Sequence, residues 1–232
     1  ILHDTGVLEI SGTGAMTDYT YHKYGETAAP WALLRDSIKK IVIADGITNV
    51  GNYAFYSCPN LTEVEFGNSV AKIGEGAFGY CGLETITIPA TVEVLAKNAL
   101  YYNASLKTVA FEADSKLTTI GDYAFRNCTS LESVYIPDGV TKIGSVILYQ
   151  ANADAVLSVA DETYAETYAV KAGYKYVTRE YVAKPLYTGT CGDTATWTLY
   201  DTGVLEIAGT GDMADYTYHK YGETAAPWAL LR

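Results

Sequence analysis

The stretch Leu131-Glu-Ser-Val-Tyr-Ile-Pro-Asp-Gly-Val-Thr-Lys-Ile-Gly144 decides the fold, because versions of it recur from Ile38 onward. Its alternating apolar pair returns at spacings between 22 and 25 residues (64 to 86 and 109 to 134, respectively). A period of this length indicates that one supersecondary unit, here called a coil, is stacked several times. The apolar pairs are Ile41/Ile43, Val64/Phe66, Ile86/Ile88, Val109/Phe111 and Val134/Ile136.

Two further apolar series run beside the first. In the second series, two aliphatic residues three positions apart precede a small residue, and in the third an Ala-Phe or Ala-Leu pair precedes Cys or Asn. Each coil therefore has about three inward-facing edges. The second series is Ile47/Val50/Gly51, Val70/Ile73/Gly74, Val92/Leu95/Ala96, Leu117/Ile120/Gly121 and Val140/Ile143/Gly144, and the third is Ala54/Phe55/Cys58, Ala77/Phe78/Cys81, Ala99/Leu100/Asn103 and Ala124/Phe125/Cys128.

These patterns predict a solenoid of short strands. Alternation along a strand puts Val64 and Phe66 inside while Glu63 and Glu65 point outward. A single coil cannot bury its apolar edges, so neighbouring coils must stack and share one elongated core. The small residue after each second-series pair suits either an unusual backbone conformation or close packing of two coils.

The repeated segment resembles the BspA-like, Treponema-type leucine-rich repeats, whose phrase is roughly LxxVxIPxxVxxIGxxAFxxCxxL. The run Tyr123-Ala-Phe-Arg-Asn-Cys-Thr-Ser-Leu-Glu-Ser-Val-Tyr-Ile-Pro137 matches that phrase closely, and the resemblance extends from Ile38 to about Ala160. This chain departs from the phrase at Leu100, at Asn103 and in a degraded last copy around 147–151.

The resemblance implies an α+β repeat fold, a leucine-rich-repeat solenoid with coils over 38–160, an N-terminal cap of hairpin and helix, and a closing C-terminal helix. It also implies a non-catalytic, secreted or bacterial cell-surface protein that mediates adhesion by binding host proteins, matrix, mucus or other cells. The competing interpretation is structural, a repetitive stalk whose role is reach.

Residues 1–37 are expected to form the N-terminal cap. Val7–Ile10 has the pattern of a strand, and Pro30–Arg35 that of a short helix, since proline is favoured in a first helical turn. Trp31 and Leu34 would share one face of this helix. We expect Trp31 to cover the open core of the first coil, because the end of a solenoid exposes apolar surface.

After the coils, residues 161–178 are predicted to form the closing helix and a last strand. Asp and Glu near its start and Gly173 just past its end are helix signals. Its buried stripe is expected to consist of Tyr164, Tyr168 and Ala172. A strand over 174–177 would follow, and 179–189 would be a linker.

Residues 199–232 repeat residues 2–35 at an offset of 197, differing only at 3/200, 11/208, 15/212 and 17/214. We therefore expect residues 190–232 to begin another tandem unit, and a hairpin of 194–200 with 204–208 through the turn at Asp201-Thr-Gly203. Ile1 to Asp4 carry no charged leader or cleavage motif. We expect a signal peptide to be absent or already removed, and the chain to be an excised piece of a tandem array.

The second cap copy suggests self-association. Residues 190–232 of one molecule would dock on an exposed edge or apolar surface of another, giving head-to-tail chains. Folding of this segment on its own chain, or partial disorder, is the alternative.

Charge and hydropathy exclude two classes of partner. The net charge is −11 with only 16 Lys and Arg in 232 residues, whereas phosphate binding needs clustered cations, so no nucleic-acid partner is expected. No run of about 18 apolar residues occurs, so membrane insertion is not expected either.

Catalytic and metal-binding motifs are not convincing. The two Asp-Thr-Gly segments at 4–6 and 201–203 are one duplicated turn rather than the two divergent loops of an aspartic protease. Three of the four cysteines occupy one position in different coils, which favours small buried thiols over a disulfide or zinc site. Asp18 and Asp215 match no calcium-loop spacing. We therefore expect no enzyme, no cofactor and no metal.

Two surfaces are candidates for binding a protein or glycan ligand. Tyrosine is abundant, with 21 in the chain, and supplies amphipathic contact area in recognition surfaces. Tyr53 and Tyr123 are expected to fill coil edges instead. The first candidate surface is the cap cluster Tyr19, Tyr21, His22 and Tyr24, and the second is the outward sheet positions Glu63, Glu65, Thr85, Thr87, Thr108, Ser133 and Tyr135.

Overall fold

The computed structural model describes residues 1–20, 28–180, 185–201 and 203–210, together with 212 and 214. The chain divides into two compact units, Ile1–Glu180 and Tyr181–Arg232. In chain order the strands are β1 (Val7–Ile10), β2 (Gly14–Ala15), β3 (Lys40–Ile43), β4 (Ile47–Val50), β5 (Glu63–Phe66), β6 (Lys72–Ile73), β7 (Thr85–Ile88), β8 (Val94–Leu95), β9 (Thr108–Phe111), β10 (Thr119–Ile120), β11 (Ser133–Tyr135), β12 (Lys142–Ile143), β13 (Val156–Ala160), β14 (Lys175–Arg179), β15 (Pro185–Thr190), β16 (Ala195–Tyr200) and β17 (Leu205–Gly209).

The first unit is a parallel β-solenoid of about six turns. One side carries the sheets β1-β3-β5 and β7-β9-β11-β13-β14, and a second side carries β12-β10-β8-β6-β4-β2. Each strand lies one coil from its neighbour, so equivalent positions of successive coils face each other, as in the register Thr85↔Thr108. The predicted repeat solenoid is therefore confirmed.

The first side is interrupted between β5 and β7, which are not hydrogen-bonded neighbours. The interruption coincides with a shorter link. Only Gly82 separates Cys81 from Leu83 in this coil, whereas two residues separate Cys58 from Leu61 in the coil before it. Val64 and Phe66, predicted to point inward, are only half-buried beside this interruption, although both pack against the core.

The third side is closed by turns rather than strands. The backbone N–H of Phe55 donates to the carbonyl of Ala77 over 2.9 Å, and the same bond links each later pair of coils. Residues on both sides of Phe55, Tyr53 and Ser57, have positive φ. The segment is therefore too tightly turned to hold more than about one helical turn. The equivalent bonds are Phe78 to Ala99, Leu100 to Ala124 and Phe125 to Ile147.

Two of the third-series cysteines, Cys81 and Cys128, donate hydrogen bonds to backbone carbonyls on this side. The thiol of Cys128 donates to the carbonyl oxygen of Leu100 over 3.2 Å, and Cys81 does the same to Phe55. Asn103 replaces the cysteine in its coil, and its amide donates to the carbonyl oxygens of both Phe78 and Leu100, at 2.8 and 2.7 Å. Asparagine therefore keeps the bond to the preceding coil, and it makes a shorter second bond within its own coil than the cysteines do, whose thiols lie 3.7 and 3.9 Å from the carbonyl oxygens of Gly79 and Arg126.

The small residues after the second series serve close packing. A Cβ added at Gly51 would lie 2.0 Å from the carbonyl oxygen of Thr17, and one at Gly144 would lie 2.3 Å from the backbone nitrogen of Asp122. Neither glycine has a positive φ. Of the two explanations offered by the sequence, close approach of adjacent coils is the one observed.

The N-terminal residues continue the solenoid. β1 pairs in parallel with β3 along its whole length. On its other edge Ile1 to His3 run antiparallel to it, with a bridge between Leu2 and Leu8 and hydrogen bonds from Glu9 N–H to Ile1 over 2.8 Å and from His3 N–H to Val7 over 2.9 Å. Trp31 stacks on Phe55 at 5.5 Å between ring centroids and donates its Nε1–H to the carbonyl oxygen of Ala54 over 2.7 Å. The predicted cover of the first coil by Trp31 is therefore present.

The helix after Trp31 differs from the prediction. It is a 3-10 helix, Ala32–Ser37, with Trp31 at its N-cap and no buried residue. Leu34 is half exposed, so the shared face expected for Trp31 and Leu34 is wrong. The reason is that Trp31 lies before the first helical residue and is turned onto Phe55.

The closing helix, α1, spans Tyr164–Ala172 and is capped by Thr163 and by a left-handed Gly173. Its buried residues are Ala165 and Ala169, while Tyr164 and Ala172 are exposed. The predicted stripe is thus wrong for these two residues. Alanine allows the helix to lie close to the sheet, and the half-buried Tyr168 fills the edge, its hydroxyl accepting from the N–H of Ile147 over 3.4 Å. The predicted last strand is present as β14.

The second unit is the three-stranded antiparallel sheet β15-β16-β17. The predicted hairpin of β16 and β17 is confirmed, with Tyr200 N–H donating to Val204 over 2.8 Å. The segment predicted as a linker, 179–189, instead contributes β15. A Cβ at Gly189 would lie 2.6 Å from the indole nitrogen of Trp197, so glycine is what lets this strand cross the buried ring.

Candidate functional site

The outward positions of β7, β9 and β11, here called the sheet face, lie in rows across adjacent strands. Thr85, Thr108 and Ser133 are direct neighbours in one row. Thr87 and Tyr135 belong to the next row, with the exposed Ala110 between them. Neighbouring strands are about 4.8 Å apart, so these five predicted residues form one small, hydroxyl-rich patch.

Glu63 and Glu65 belong to the other sheet of that side and are already paired. The Lys40 amine, on β3, lies 2.8 Å from a carboxylate oxygen of Glu63 and 2.5 Å from one of Glu65. The hydrogen bond to Glu63, and to a smaller extent the one to Glu65, raises the pKa of the Lys40 amine. Both carboxylates are exposed, but each is already paired with Lys40, so together they do not form an unpaired acidic site for a ligand.

Tyr135 is covered on one face by Arg179, the first residue of the segment predicted as a linker. The guanidinium of Arg179 lies 4.0 Å from the ring centroid of Tyr135, donates to the carbonyl oxygen of Ile136 over 2.6 Å, and pairs with Asp138. Tyr135 as a whole is still 42% exposed. Arg179 therefore occupies one face of the Tyr135 ring.

Of the predicted cap cluster, the structure describes only Tyr19. Its ring lies edge-on to Trp31 at 5.8 Å, and its backbone N–H donates to the carbonyl oxygen of Asn52 over 2.9 Å. Burial raises the pKa of its hydroxyl. Tyr19 is thus part of the packing around Trp31. Tyr21, His22 and Tyr24 lie outside the described residues.

A surface that the sequence analysis did not select lies on the turn side of the solenoid. Tyr80 and Tyr102 stack flat at 4.3 Å between centroids, with 8° between their planes. Tyr101 packs edge-on against Tyr80, and its hydroxyl lies 2.9 Å from that of the buried Tyr56. We call this surface the tyrosine face and define it as Tyr53, Tyr80, Tyr101, Tyr102, Tyr123, Arg126 and Tyr149; Tyr53, Tyr80 and Tyr101 pack around the buried Tyr56.

The tyrosine face continues onto the following coils. The guanidinium of Arg126 lies 5.7 Å from the ring centroid of Tyr123 and 5.3 Å from that of Tyr149. Tyr80, Tyr102 and Tyr149 are 38%, 40% and 44% exposed, respectively. Aromatic rings with hydroxyls and a guanidinium are therefore presented together on consecutive coils.

The repeat phrase itself contains the signal that was missed. Two positions follow each Ala-Phe pair and are left free by the phrase AFxxC, so the fold does not require a particular residue there. In this chain tyrosine occupies at least one of them in four coils, at Tyr56, Tyr80, Tyr101/Tyr102 and Tyr149. Tyr53 and Tyr123, interpreted as edge filling, are half-buried members of the same surface.

The buried thiols supply no reactive group. Burial raises the pKa of Cys58 and of Cys128 to about 12, and that of Cys81 is also raised by burial. A thiol in this state is inert because the thiolate is the nucleophile. Within the described ranges, no group of three His, Cys, Asp or Glu side chains is placed to hold a metal ion. None of the helices described is long and apolar enough to cross a membrane.

Comparison with known proteins agrees with this geometry. The family model for the BspA type leucine rich repeat region matches residues 32–154 in six copies. A search of curated proteins finds no match.

Among solved structures, the chain resembles the pneumococcal vaccine antigen PcpA, with a TM-score of 0.53 and 22% identity over 68% of this chain. It spans 41% of that structure, and the likeness concerns the fold. Two other matches are a leucine-rich repeat protein from Eubacterium ventriosum (24% identity, 69% of each chain, TM-score 0.28) and a leucine rich cell surface protein from Faecalibacterium prausnitzii (17% identity, 88% of this chain and 57% of that one, TM-score 0.37).

The family model covers more than half of the chain, and the parallel coils over those same residues have the geometry that the repeat phrase requires. The resemblance stated from the sequence is therefore confirmed, and the chain belongs to the BspA-type leucine-rich-repeat family.

Proposed function

We infer that this chain is a non-catalytic binding module of a secreted or cell-surface bacterial protein, and that it binds a protein ligand through the tyrosine face. The observation that carries the proposal is the exposed stack of Tyr80 and Tyr102 beside Tyr101. Tyrosine and arginine are enriched at the centres of protein interfaces, where they contribute a large share of the binding energy.

The tyrosine face is better suited to this role than the sheet face. Its rings are rigidly held, because Tyr80 and Tyr102 support each other and their backbones are fixed by hydrogen bonds between coils. A rigid aromatic side chain loses little conformational entropy on binding. On the first side of the solenoid, by contrast, Lys40 is paired with Glu63 and Glu65 of the neighbouring sheet, and on the sheet face Arg179 covers one face of the Tyr135 ring.

The test is a binding screen of the whole chain against host-cell surface proteins and glycans, followed by variants. Tyr80→Ser with Tyr102→Ser is expected to weaken a protein hit by about 30-fold or more, the effect of losing an aromatic hot spot of about 2 kcal/mol. The matched control, Thr85→Ala with Thr87→Ala on the sheet face, should leave binding unchanged.

The opposite pattern, loss of binding in the sheet-face variant alone, would contradict this assignment. Circular dichroism of both variants checks that the solenoid is retained. A hit among glycans but not proteins would also overturn the choice of ligand class.

A second candidate function is a structural stalk, and the near-identical copies at 2–35 and 199–232 favour it. A tandem array of such units would place a binding module far from its anchor. If the screen gives no ligand while multi-unit proteins form extended particles in electron micrographs, the structural role is the better account.

A further inference from the structure

Arg126 is held in a fixed position on the tyrosine face. Its guanidinium lies 5.7 Å from the ring centroid of Tyr123 and 5.3 Å from that of Tyr149, and the two rings are nearly perpendicular, with 84° between their planes. Its Nε–H donates to Oδ1 of Asn127 over 3.1 Å, and the Asn127 amide donates in turn to Gln150 over 3.3 Å. Contacts from its own coil and from the following coil therefore hold the guanidinium in place.

The two Nη atoms of Arg126 remain available for a ligand. The chain has 27 Asp and Glu residues, yet none of those that the structure describes forms an ion pair with Arg126. The other arginines in the described part of the chain do have carboxylate neighbours, since Arg35 lies 4.0 Å from Asp36 and Arg179 pairs with Asp138. Arg126 is only half-buried, and neither Nη atom is enclosed.

A carboxylate is the ligand group that matches this site. A guanidinium donates parallel hydrogen bonds to both oxygens of a carboxylate, and such charge-assisted bonds are stronger than neutral ones. Because Asn127 already accepts from Nε, the pair of Nη atoms is the part of the guanidinium that a carboxylate can bind. In a protein ligand, the groups of this kind are the side chains of Asp and Glu.

The available guanidinium lies one coil from the stacked rings. The N–H of Tyr102 donates to the carbonyl oxygen of Arg126 over 2.7 Å, so the two residues are neighbours across adjacent coils. Neighbouring strands are about 4.8 Å apart, and an extended peptide advances about 3.3 Å per residue. A peptide that runs along the face therefore reaches from the Tyr80 and Tyr102 stack to Arg126 within about two or three residues.

We propose that the ligand of the tyrosine face is an extended peptide segment with an Asp or Glu about two or three residues from an apolar or aromatic residue. The carboxylate binds the Nη atoms of Arg126, and the apolar side chain lies against Tyr80 and Tyr102. This inference rests on the proposed function and adds the chemical class of the ligand. Tyr123 and Tyr149 act as positioning residues, because they hold the guanidinium without contacting the carboxylate.

Selection from a library of random peptides displayed on phage tests the proposal, with the whole chain as the target. The recovered peptides are expected to be enriched in Asp and Glu close to an apolar residue, and to bind the variant Tyr80→Ser with Tyr102→Ser weakly. Arg126→Gln should weaken the binding of such a peptide about 10-fold or more, the effect of losing hydrogen bonds to a charged group. The matched control is Lys142→Gln, which removes an exposed cation from β12 on the second side and should leave binding unchanged.

Changing the peptide instead of the chain gives a second readout that needs no folded variant. Replacing the acidic residue of a recovered peptide by its amide should weaken binding to the unaltered chain by the same factor as Arg126→Gln does. The two changes together should weaken it little more than either one alone, because both remove the same contact. Circular dichroism checks that Arg126→Gln retains the solenoid.

The outcomes separate this inference from the proposed function. Peptides that need Tyr80 and Tyr102 but show no acidic preference, or acidic peptides that bind Arg126→Gln unchanged, would overturn the inference and leave the proposed function standing. A sulfated glycan that depends on Arg126, with no acidic peptide recovered, would overturn the choice of a peptide carboxylate. Peptides that bind as tightly after Tyr80→Ser with Tyr102→Ser would contradict the proposed function itself.

Discussion

The rings of Tyr80 and Tyr102 lie face to face, 4.3 Å apart, although 22 residues separate them in the chain. The separation is one coil, so the solenoid repeat itself brings the rings together. Because the phrase leaves both positions free, their aromatic character is additional to what the fold requires. This relationship is the basis for assigning the ligand surface to the turn side.

The stack should be measurable as a coupling energy. Tyr80→Ala, Tyr102→Ala and the double variant, compared by urea unfolding, are expected to give a coupling of about 0.5–1.5 kcal/mol, the range for aromatic pairs. Tyr102→Phe should retain it, since the ring rather than the hydroxyl makes the contact. Strictly additive effects of the two alanine changes would show that the rings do not support each other.

Asn103 is predicted to be replaceable by cysteine but not by alanine. Asn103→Ala leaves the carbonyl oxygens of Phe78 and Leu100 without this donor in a buried position, which should lower the free energy of unfolding by about 2–4 kcal/mol. Asn103→Cys restores the arrangement seen at Cys81 and Cys128 and should cost clearly less. Equal losses in thermal or chemical unfolding would remove the hydrogen-bonding explanation.

Gly82 is expected to be intolerant of any side chain. A Cβ there would lie 2.3 Å from the carbonyl oxygen of Pro59, a distance that requires the two coils to move apart. Gly82→Ala should therefore destabilise the chain by about 1–3 kcal/mol, as overpacking does. At Gly139 the nearest atom would be 3.4 Å away. Gly139→Ala is the matched control, and its unfolding midpoint should change little.

The buried thiols predict a loss of stability at high pH. Burial raises the pKa of Cys58 and Cys128 from 9.0 to about 12, so the folded state holds these protons more tightly than the unfolded state does. The stabilisation of the folded state by these protonated thiols is complete below pH 9, and it is lost as the pH rises from 9 to about 12. In that range the free energy of unfolding should fall by up to about 1.4 kcal/mol per pH unit for each thiol. Urea unfolding at a series of pH values should reveal this slope.

The control for the pH effect is Cys58→Ala with Cys128→Ala. These variants are less stable at neutral pH because they remove buried sulfur, but their stability should fall less between pH 9 and 12. An unchanged slope would assign the alkaline loss to other groups, such as the tyrosines.

The coil architecture was predictable because it depends on apolar periodicity, which the sequence displays directly. The pairs such as Val134 and Ile136 define the strands, and the positions of Phe55 and Phe78 define the turn side. The buried thiols were predicted correctly for the same reason, since one position in successive coils has one environment.

The sequence did not predict features that depend on how elements meet in space. The buried stripe of α1 is alanine rather than tyrosine because the closeness of helix and sheet decides it. Arg179 on β14 reaches Tyr135 on β11 across the intervening strand β13, and no local pattern indicates that contact. The tyrosine face was overlooked because each tyrosine alone resembles edge filling, and only stacking of the coils brings the rings into one surface.

The most direct test of the central claim is site-specific photocrosslinking. A photoreactive phenylalanine placed at Tyr102 should form a covalent adduct with a protein ligand identified by the binding screen, whereas the same group at Thr85 on the sheet face should not. An adduct from position 85 with none from position 102 would contradict the assignment of ligand binding to the tyrosine face.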